Sequence, residues 1–529
     1  MGSHYGQAML DGLALIFDPG TLLMLFVGML IGLTLGVLPG LGGTVTMALM
    51  LPFAYSLEPA EALALCLGGF SAVSMGGSIP AILLNTPGTG EQAVTTLDGY
   101  PMTKKGEGTR ALAAAAGAGI FGTLAGVVVL TVFIPFARLI LVSVGSAEIF
   151  ALSLLGVMAI GVLTTDSVSR GVLSGLIGLM LSTIGNDPVT GVLRYTGGSI
   201  ELYDGLSISG VTLGLFAVAA MIHVYVGGKP IAARGAGVEQ MGVLDGIGKG
   251  FRDVLVNIKT ALSGGVIGSV IGVVPGLGAT VSMFLSYGVA KKRSKHPEKF
   301  GKGAVEGIIA AESANNAKEG GGLIPTLVFG LPSGSTMAIF IGVLYIIGLP
   351  PGPQLINDNL QMVYYMAWSL ALAGVIGSAI GLCVAPQAAR LARTPPSVLV
   401  PLLIAFSIAG SVVDTRLVFG LYVAIATGFF GFWIERLGYS CAGIILGFML
   451  GPIVERQMFI SVNAYGIDFL TRPITLTILL VIAYLVVGPY LRPRRLIARL
   501  RRKANEAVPA SELEDATEKA ESSAEQKEN

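Results

Sequence analysis

Gly36-Val-Leu-Pro-Gly-Leu-Gly-Gly-Thr-Val45 returns almost unchanged as Gly272-Val-Val-Pro-Gly-Leu-Gly-Ala-Thr-Val281, with eight of the ten positions identical. Both copies lie inside apolar sequence, where proline removes a helix N–H and glycine is entropically costly, so each predicts a broken helix. Two breaks at matching places indicate a duplicated membrane protein whose unwound segments carry the function.

A second pair of motifs follows in the same order. Gly76, Gly77, Ile79, Pro80, Pro87 and Ala93 match Gly321, Gly322, Ile324, Pro325, Pro332 and Ala338. Each segment is apolar, polar-tipped and interrupted by two prolines, which predicts a re-entrant hairpin instead of a crossing helix. The register moves by nine residues between the motifs, and the basic loop Lys291–Lys302 absorbs the difference. The expected organisation is a first repeat over 1–242, with a broken segment at 21–55 and a hairpin at 76–98, and a second over 243–455, with a broken segment at 260–290 and a hairpin at 320–349. Further first-half spans are expected at 111–133, 148–164, 171–184 and 206–226. A last span lies within 456–490, and residues 491–529 form a basic then acidic tail, too polar to bury a core and expected to be disordered.

Composition agrees with a multi-span, all-α membrane protein: 53% hydrophobic, 12% charged, mean hydropathy +0.77. The 75 glycines are about twice the usual ~7% share, which suits close helix packing in lipid. A net charge of +1 argues against nucleic acid as a partner. Cys66, Cys383 and Cys441 sit in apolar runs and have neither disulfide nor metal-site spacing. The start, Met1-Gly-Ser-His4, lacks a signal peptide's basic region, so insertion is expected to rely on the first apolar span.

Loop charge orients the halves. Lys291–Lys302 corresponds in the first half to Ser56–Glu61, which has no Lys or Arg, while Lys104, Lys105 and Arg110 correspond to Gly348–Leu360, which has none either. Equivalent loops with opposite bias lie on opposite faces, so the repeats are expected to be inverted, and the basic run Arg492–Lys503 puts the C-terminus in the cytoplasm.

Broken helices expose N–H groups suited to a carboxylate and C=O groups suited to Na⁺. Candidate substrate ligands are Ser78, Asn85, Thr86 and Thr89 in the first half, and Asn315, Asn316, Ser333, Ser335 and Thr336 in the second. Candidate Na⁺ positions are Gly40, Gly42, Thr44, Gly276, Gly278 and Thr280. For any one hydroxyl or amide, helix capping or an interhelix hydrogen bond is the competing explanation. Glu306, Glu312, Asn315, Asn316, Lys318 and Glu319 precede the second hairpin, and this face either binds substrate or cation or is satisfied by neighbouring amides and hydroxyls. Asp166, Arg170, Asp414 and Arg416 read as structural ion pairs, and His223 and His296 sit in no ligand cluster. The glycine-rich motif lacks the lysine of a P-loop, and no histidine is placed to activate a serine, so a nucleotide fold and an intramembrane protease are both disfavoured.

At these residues the chain resembles the large membrane subunit (TctA type) of the tripartite tricarboxylate transporters. The resemblance is carried by Gly36–Val45, Gly76–Gly90, Asp98-Gly-Tyr-Pro101, Glu312-Ser-Ala-Asn-Asn316, Gly320–Pro325 and Gly330-Leu-Pro-Ser-Gly-Ser335. It implies a non-enzymatic carrier of the bacterial inner membrane that imports a tricarboxylate or other carboxylate by cation symport, with Na⁺ as the coupling ion and elevator-like movement. It also implies a small four-span membrane subunit and a periplasmic carboxylate-binding protein as partners. The alternatives are an intramembrane enzyme and a passive anion channel.

Overall fold

A computed structural model describes residues 2–38, 41–88, 91–141, 144–163, 165, 167–227, 243–274, 278–391, 401 and 419–491. Among these, six helices are long and apolar enough to cross a membrane, or seven if one pair bent by 73° counts as a single span. The first half contains α1 (Gly2–Ile16), α2 (Pro19–Val37), α3 (Gly42–Met50), α4 (Pro59–Leu84), α5 (Ala93–Lys104), α6 (Gly108–Leu141), α7 (Ser146–Leu163) and α8 (Val168–Leu181). It ends with α9 (Ile208–Thr212), a π-helical turn (Leu213–Val218) and α10 (Ala219–Gly227). The second half contains α11 (Val243–Val256), α12 (Ile258–Val273), α13 (Gly278–Arg293), α14 (Val305–Phe329), α15 (Ser335–Ile346), α16 (Pro353–Asp358) and α17 (Leu360–Leu391). It closes with α18 (Phe419–Arg436), α19 (Cys441–Tyr465) and α20 (Pro473–Leu491).

Glycine spacing builds the centre. Gly28, Gly32 and Gly36 lie four apart on α2 and face α4; Gly264, Gly268 and Gly272 do the same on α12 and face α14. A Cβ on Gly32 would stand 2.8 Å from the Cα of Gly69, and one on Gly268 would stand 2.8 Å from the Cα of Ala314. At Gly36 and Gly272 the nearest Cα atoms, Val73 and Lys318, would be 3.1 and 3.0 Å away. Only glycine permits this backbone approach, and the dispersion gained along it replaces the hydrophobic drive that lipid removes. The flanking helices then cross over. Gly122 and Gly126 of α6 press on Ser313 and Ala317 of α14, while Gly377 and Gly381 of α17 press on Ala72 and Met75 of α4.

Helix starts and stops match as well. Pro59 opens α4 under a Glu58/Glu61 capping box. Asn85 (φ 56°) and Gly330 (φ 66°) close α4 and α14 in the left-handed region, and the N–H of each reaches the carbonyl of a helix proline, Pro80 or Pro325.

Helices run across the expected bounds: α4 continues past 76 through Pro80 to Leu84, and α14 past 320 through Pro325 to Phe329. Side-chain donors bond carbonyls in the turns beside these prolines. Ser78 Oγ and Gln92 Nε2 reach the Ser74 carbonyl at 3.0 and 3.3 Å, and Thr326 Oγ1 reaches the Gly322 carbonyl at 2.7 Å. Residue 455, the expected end of the second repeat, lies inside α19. Glu455 holds Arg194 through two bonds of 2.6 and 2.9 Å, so its charge is satisfied without ending the helix. Arg194 belongs to a small antiparallel ribbon, β1 (Gly185–Asn186) and β2 (Leu193–Arg194), that was not anticipated. In its turn the N–H groups of Val189 and Thr190 hold the half-buried Asp187 carboxyl below the usual range.

Candidate functional site

Two helix N-termini, one from each half, meet beside a cavity of about 470 Å³. α3 begins at Gly42 and α15 at Ser335; the residues before them, Leu41 and Gly334, make no side-chain cap bond. The first-turn N–H groups, with the positive ends of both dipoles, are therefore directed at this point. Thr44 Oγ1 and Thr336 Oγ1 stand 3.3 Å apart across the junction. Thr44, Ser335, His223 and Glu435 supply the polar lining, and Val45 and Phe216 part of the apolar lining. His223 Nε2 lies 3.1 Å from Glu435 Oε2. Such a concave, mainly apolar chamber with hydroxyls and two N-termini on one side suits a small anion.

The second polar region lies deeper, where α4, α5 and α14 touch. Glu312 is buried and receives the hydroxyls of Ser78 and Thr95 at 2.8 and 2.5 Å. Two helical turns on, Glu319 Oε1 receives Ser74 Oγ at 2.8 Å. Ser74 and Glu319 are 245 residues apart, the same separation as Asn85 and Gly330, so two equivalent positions of the duplication bond each other. Lys318 reaches Glu91 at 3.3 Å, and Asn316 Nδ2 reaches Thr123 Oγ1 at 3.4 Å.

The residues expected to form the site are thus divided. Thr44, Ser335 and Thr336 gather at the cavity, whereas Ser78, Asn315 and Asn316 belong to the buried acidic region. Asn85 forms the left-handed helix end and is exposed, and Thr86 Oγ1 bonds the Leu84 carbonyl at 3.2 Å, both local capping roles. Ser333 packs over Gly322, where a Cβ would stand 3.1 Å from the serine Cβ. Of the proposed Na⁺ positions, Gly42 lends its carbonyl to Thr46 Oγ1 at 2.9 Å, Gly278 opens α13, and Thr280 is exposed on it. Arg170 lies against Gly438. Gly40, Thr89, Asp166, Gly276, Asp414 and Arg416 lie outside the described residues. Among the described residues no three His, Cys, Asp or Glu side chains are grouped to hold a metal ion.

Sequence reasoning missed His223 and Glu435, because 212 residues separate them and only the packing of α10 on α18 brings them together. It also missed the task of Asp98. This buried carboxylate accepts the N–H groups of Gly301, Gly303 and Ala304, each at 2.8 Å, and the Tyr287 hydroxyl at 2.8 Å. It fixes the start of α14 from the other half of the chain. A carboxylate inside the α5 motif Asp98-Gly-Tyr-Pro101 was the available signal.

Comparison with known proteins agrees with this architecture. The model of the tripartite tricarboxylate transporter TctA family matches residues 22–446. An uncharacterized 52.8 kDa protein of Agrobacterium vitis, described as lying in the TAR-I ttuC' 3' region, is 33% identical over 491 residues, covering 92% of this chain and 96% of its own. A second protein of that organism, from the TAR-II ttuC' 3' region, is 33% identical over 235 residues, 43% of this chain and 97% of its own. No solved structure matches.

Proposed function

Because the chain belongs to the tripartite tricarboxylate transporter TctA family, and is thus a membrane transporter subunit of tricarboxylate transport, we propose that it binds an organic carboxylate at the junction of α3 and α15 and imports it by cation symport. The observation that carries this reading is the meeting of two side-chain-uncapped helix N-termini, with Thr44 and Thr336 3.3 Å apart, on a cavity of about 470 Å³. Backbone N–H groups and hydroxyls hold a carboxylate through several weak bonds, which allows release as well as capture. His223 and Glu435 form the opposite wall.

The inverted arrangement draws support from the opposite charge bias of equivalent loops and from the crossing of α6 onto α14 and α17 onto α4. Elevator-like movement would then carry both tips together. A small four-span membrane subunit and a periplasmic carboxylate-binding protein would complete the system, in a bacterial inner membrane with the basic tail in the cytoplasm. The test is uptake of labelled citrate and other di- and tricarboxylates by Thr44→Ala/Thr336→Ala in cells carrying all three components. An apparent affinity weakened by about tenfold or more, as loss of two hydroxyl contacts to a charged ligand requires, is expected. Unchanged affinity at normal surface expression would remove this cavity from the substrate path.

A further inference from the structure

Glu312, Asn315, Asn316 and Glu319 follow the i, i+3, i+4, i+7 spacing that places side chains on one face of α14, and none is more than 2% exposed. Their oxygens outnumber the donors that reach them. Asn315 Oδ1, Asn316 Oδ1, Glu319 Oε2 and the facing Ser71 Oγ are buried without a hydrogen bond, as is Asn315 Nδ2. The Asn315 amide adjoins Glu312, and Ser71 adjoins Glu319, each short of hydrogen-bond geometry. Nearby charge is unbalanced too: Glu91, Glu312 and Glu319 stand against Lys318, which pairs with Glu91.

A carboxylate in a membrane interior without a counter-charge takes up a proton or a cation. A proton on Glu312 would satisfy one carboxylate oxygen and leave the Asn315 amide oxygen without a partner. A small alkali cation meets the Glu312 carboxylate and the unbonded Asn315 amide oxygen at once, and a wholly oxygen donor set suits a hard ion. We propose that the coupling ion, Na⁺, binds on this face of α14, with the Glu312 carboxylate and the Asn315 amide oxygen as ligands. Ser78 and Thr95 hold the carboxylate in place. The ion then rests on side chains of α14 instead of on the backbone of the two Pro-Gly motifs. It also ties the halves together, because Ser78 and Thr95 come from α4 and α5.

The proposal deepens the carrier reading, and its test is kept independent of transport. Thermal unfolding of the purified full-length protein is followed in NaCl, KCl and choline chloride at equal ionic strength, over a range of pH and without substrate. Wild type is expected to show a saturable rise in Tm with Na⁺ alone, since a ligand bound only by the folded state stabilises it by mass action. Glu312→Gln should abolish the rise, and Ser78→Ala should shift its midpoint to about tenfold higher Na⁺, as loss of a group that orients a metal ligand does. Should Glu312→Gln fail to fold, Asn315→Ala carries the test and should also lose the rise. Thr44→Ala/Thr336→Ala should keep the Na⁺ response while its apparent affinity for carboxylate in uptake weakens about tenfold, which separates failure of the ion site from failure of the carrier reading. A wild type with no Na⁺-specific shift, a shift reproduced by pH alone, or a full Na⁺ response in Glu312→Gln or Asn315→Ala would overturn the proposal.

Discussion

α4 and α14 share one backbone design and carry different chemistry. Each is pressed by a helix with glycines at every fourth position, runs through a proline, and ends on a left-handed residue. Yet where α4 presents Leu67, Ser71 and Ser74, the equivalent positions of α14 present Glu312, Asn316 and Glu319. The shared features are backbone contacts that tolerate no side chain, so they persist in both copies. The facing side chains meet each other across the duplication, as the Ser74–Glu319 bond shows, so one copy can supply acceptors and the other donors. Duplication thus builds a frame, and divergence within it gathers donors and acceptors that neither half holds alone.

The largest expected effect follows from breaking the shared feature. Gly32→Leu and Gly268→Leu each drive a side chain into the opposing backbone, and both should abolish folded protein in detergent, beyond the usual ~1–3 kcal/mol of overpacking because backbone cannot move aside. Fluorescence-detected size exclusion would record this, and tolerance in one half alone would show that the two seams are not equivalent.

The helix starts differ, and that difference ranks the next two predictions. α4 caps itself with Glu58 and Glu61, whereas the start of α14 is held by Asp98 from α5. Asp98→Ala strands several donors and should lower stability by about 3 kcal/mol or more in chemical denaturation, at roughly 1–3 kcal/mol for each group left unsatisfied. Glu61→Ala should cost about 1 kcal/mol. Equal losses would contradict the difference in capping. Smallest of all, Arg194→Ala removes a partly exposed pair with Glu455 and should change stability by about 1 kcal/mol or less, testable in the same titration.

Much of the frame was legible because its signals are local. The duplicated Pro-Gly motifs, the paired proline-rich tips and the acidic periodicity of 312–319 each lie within a few residues of sequence. The continuity of α4 through Pro80 was not, since a proline within an apolar run reads as a break although the helix continues to Leu84. The site was legible only in pieces. Ser78 and Thr336 were singled out on the same ground, polar tips of equivalent hairpins, yet one bonds Glu312 and the other meets Thr44. Which of two polar regions a hydroxyl joins depends on packing between segments more than 200 residues apart, and no local pattern encodes that.

Uptake of a labelled carboxylate into proteoliposomes holding this subunit, the small membrane subunit and the binding protein decides the carrier reading. Accumulation that requires an inward Na⁺ gradient, with an apparent affinity weakened about tenfold or more in Thr44→Ala/Thr336→Ala, is the result expected. Flux that proceeds equally without any cation gradient would contradict symport and leave a passive anion path in its place.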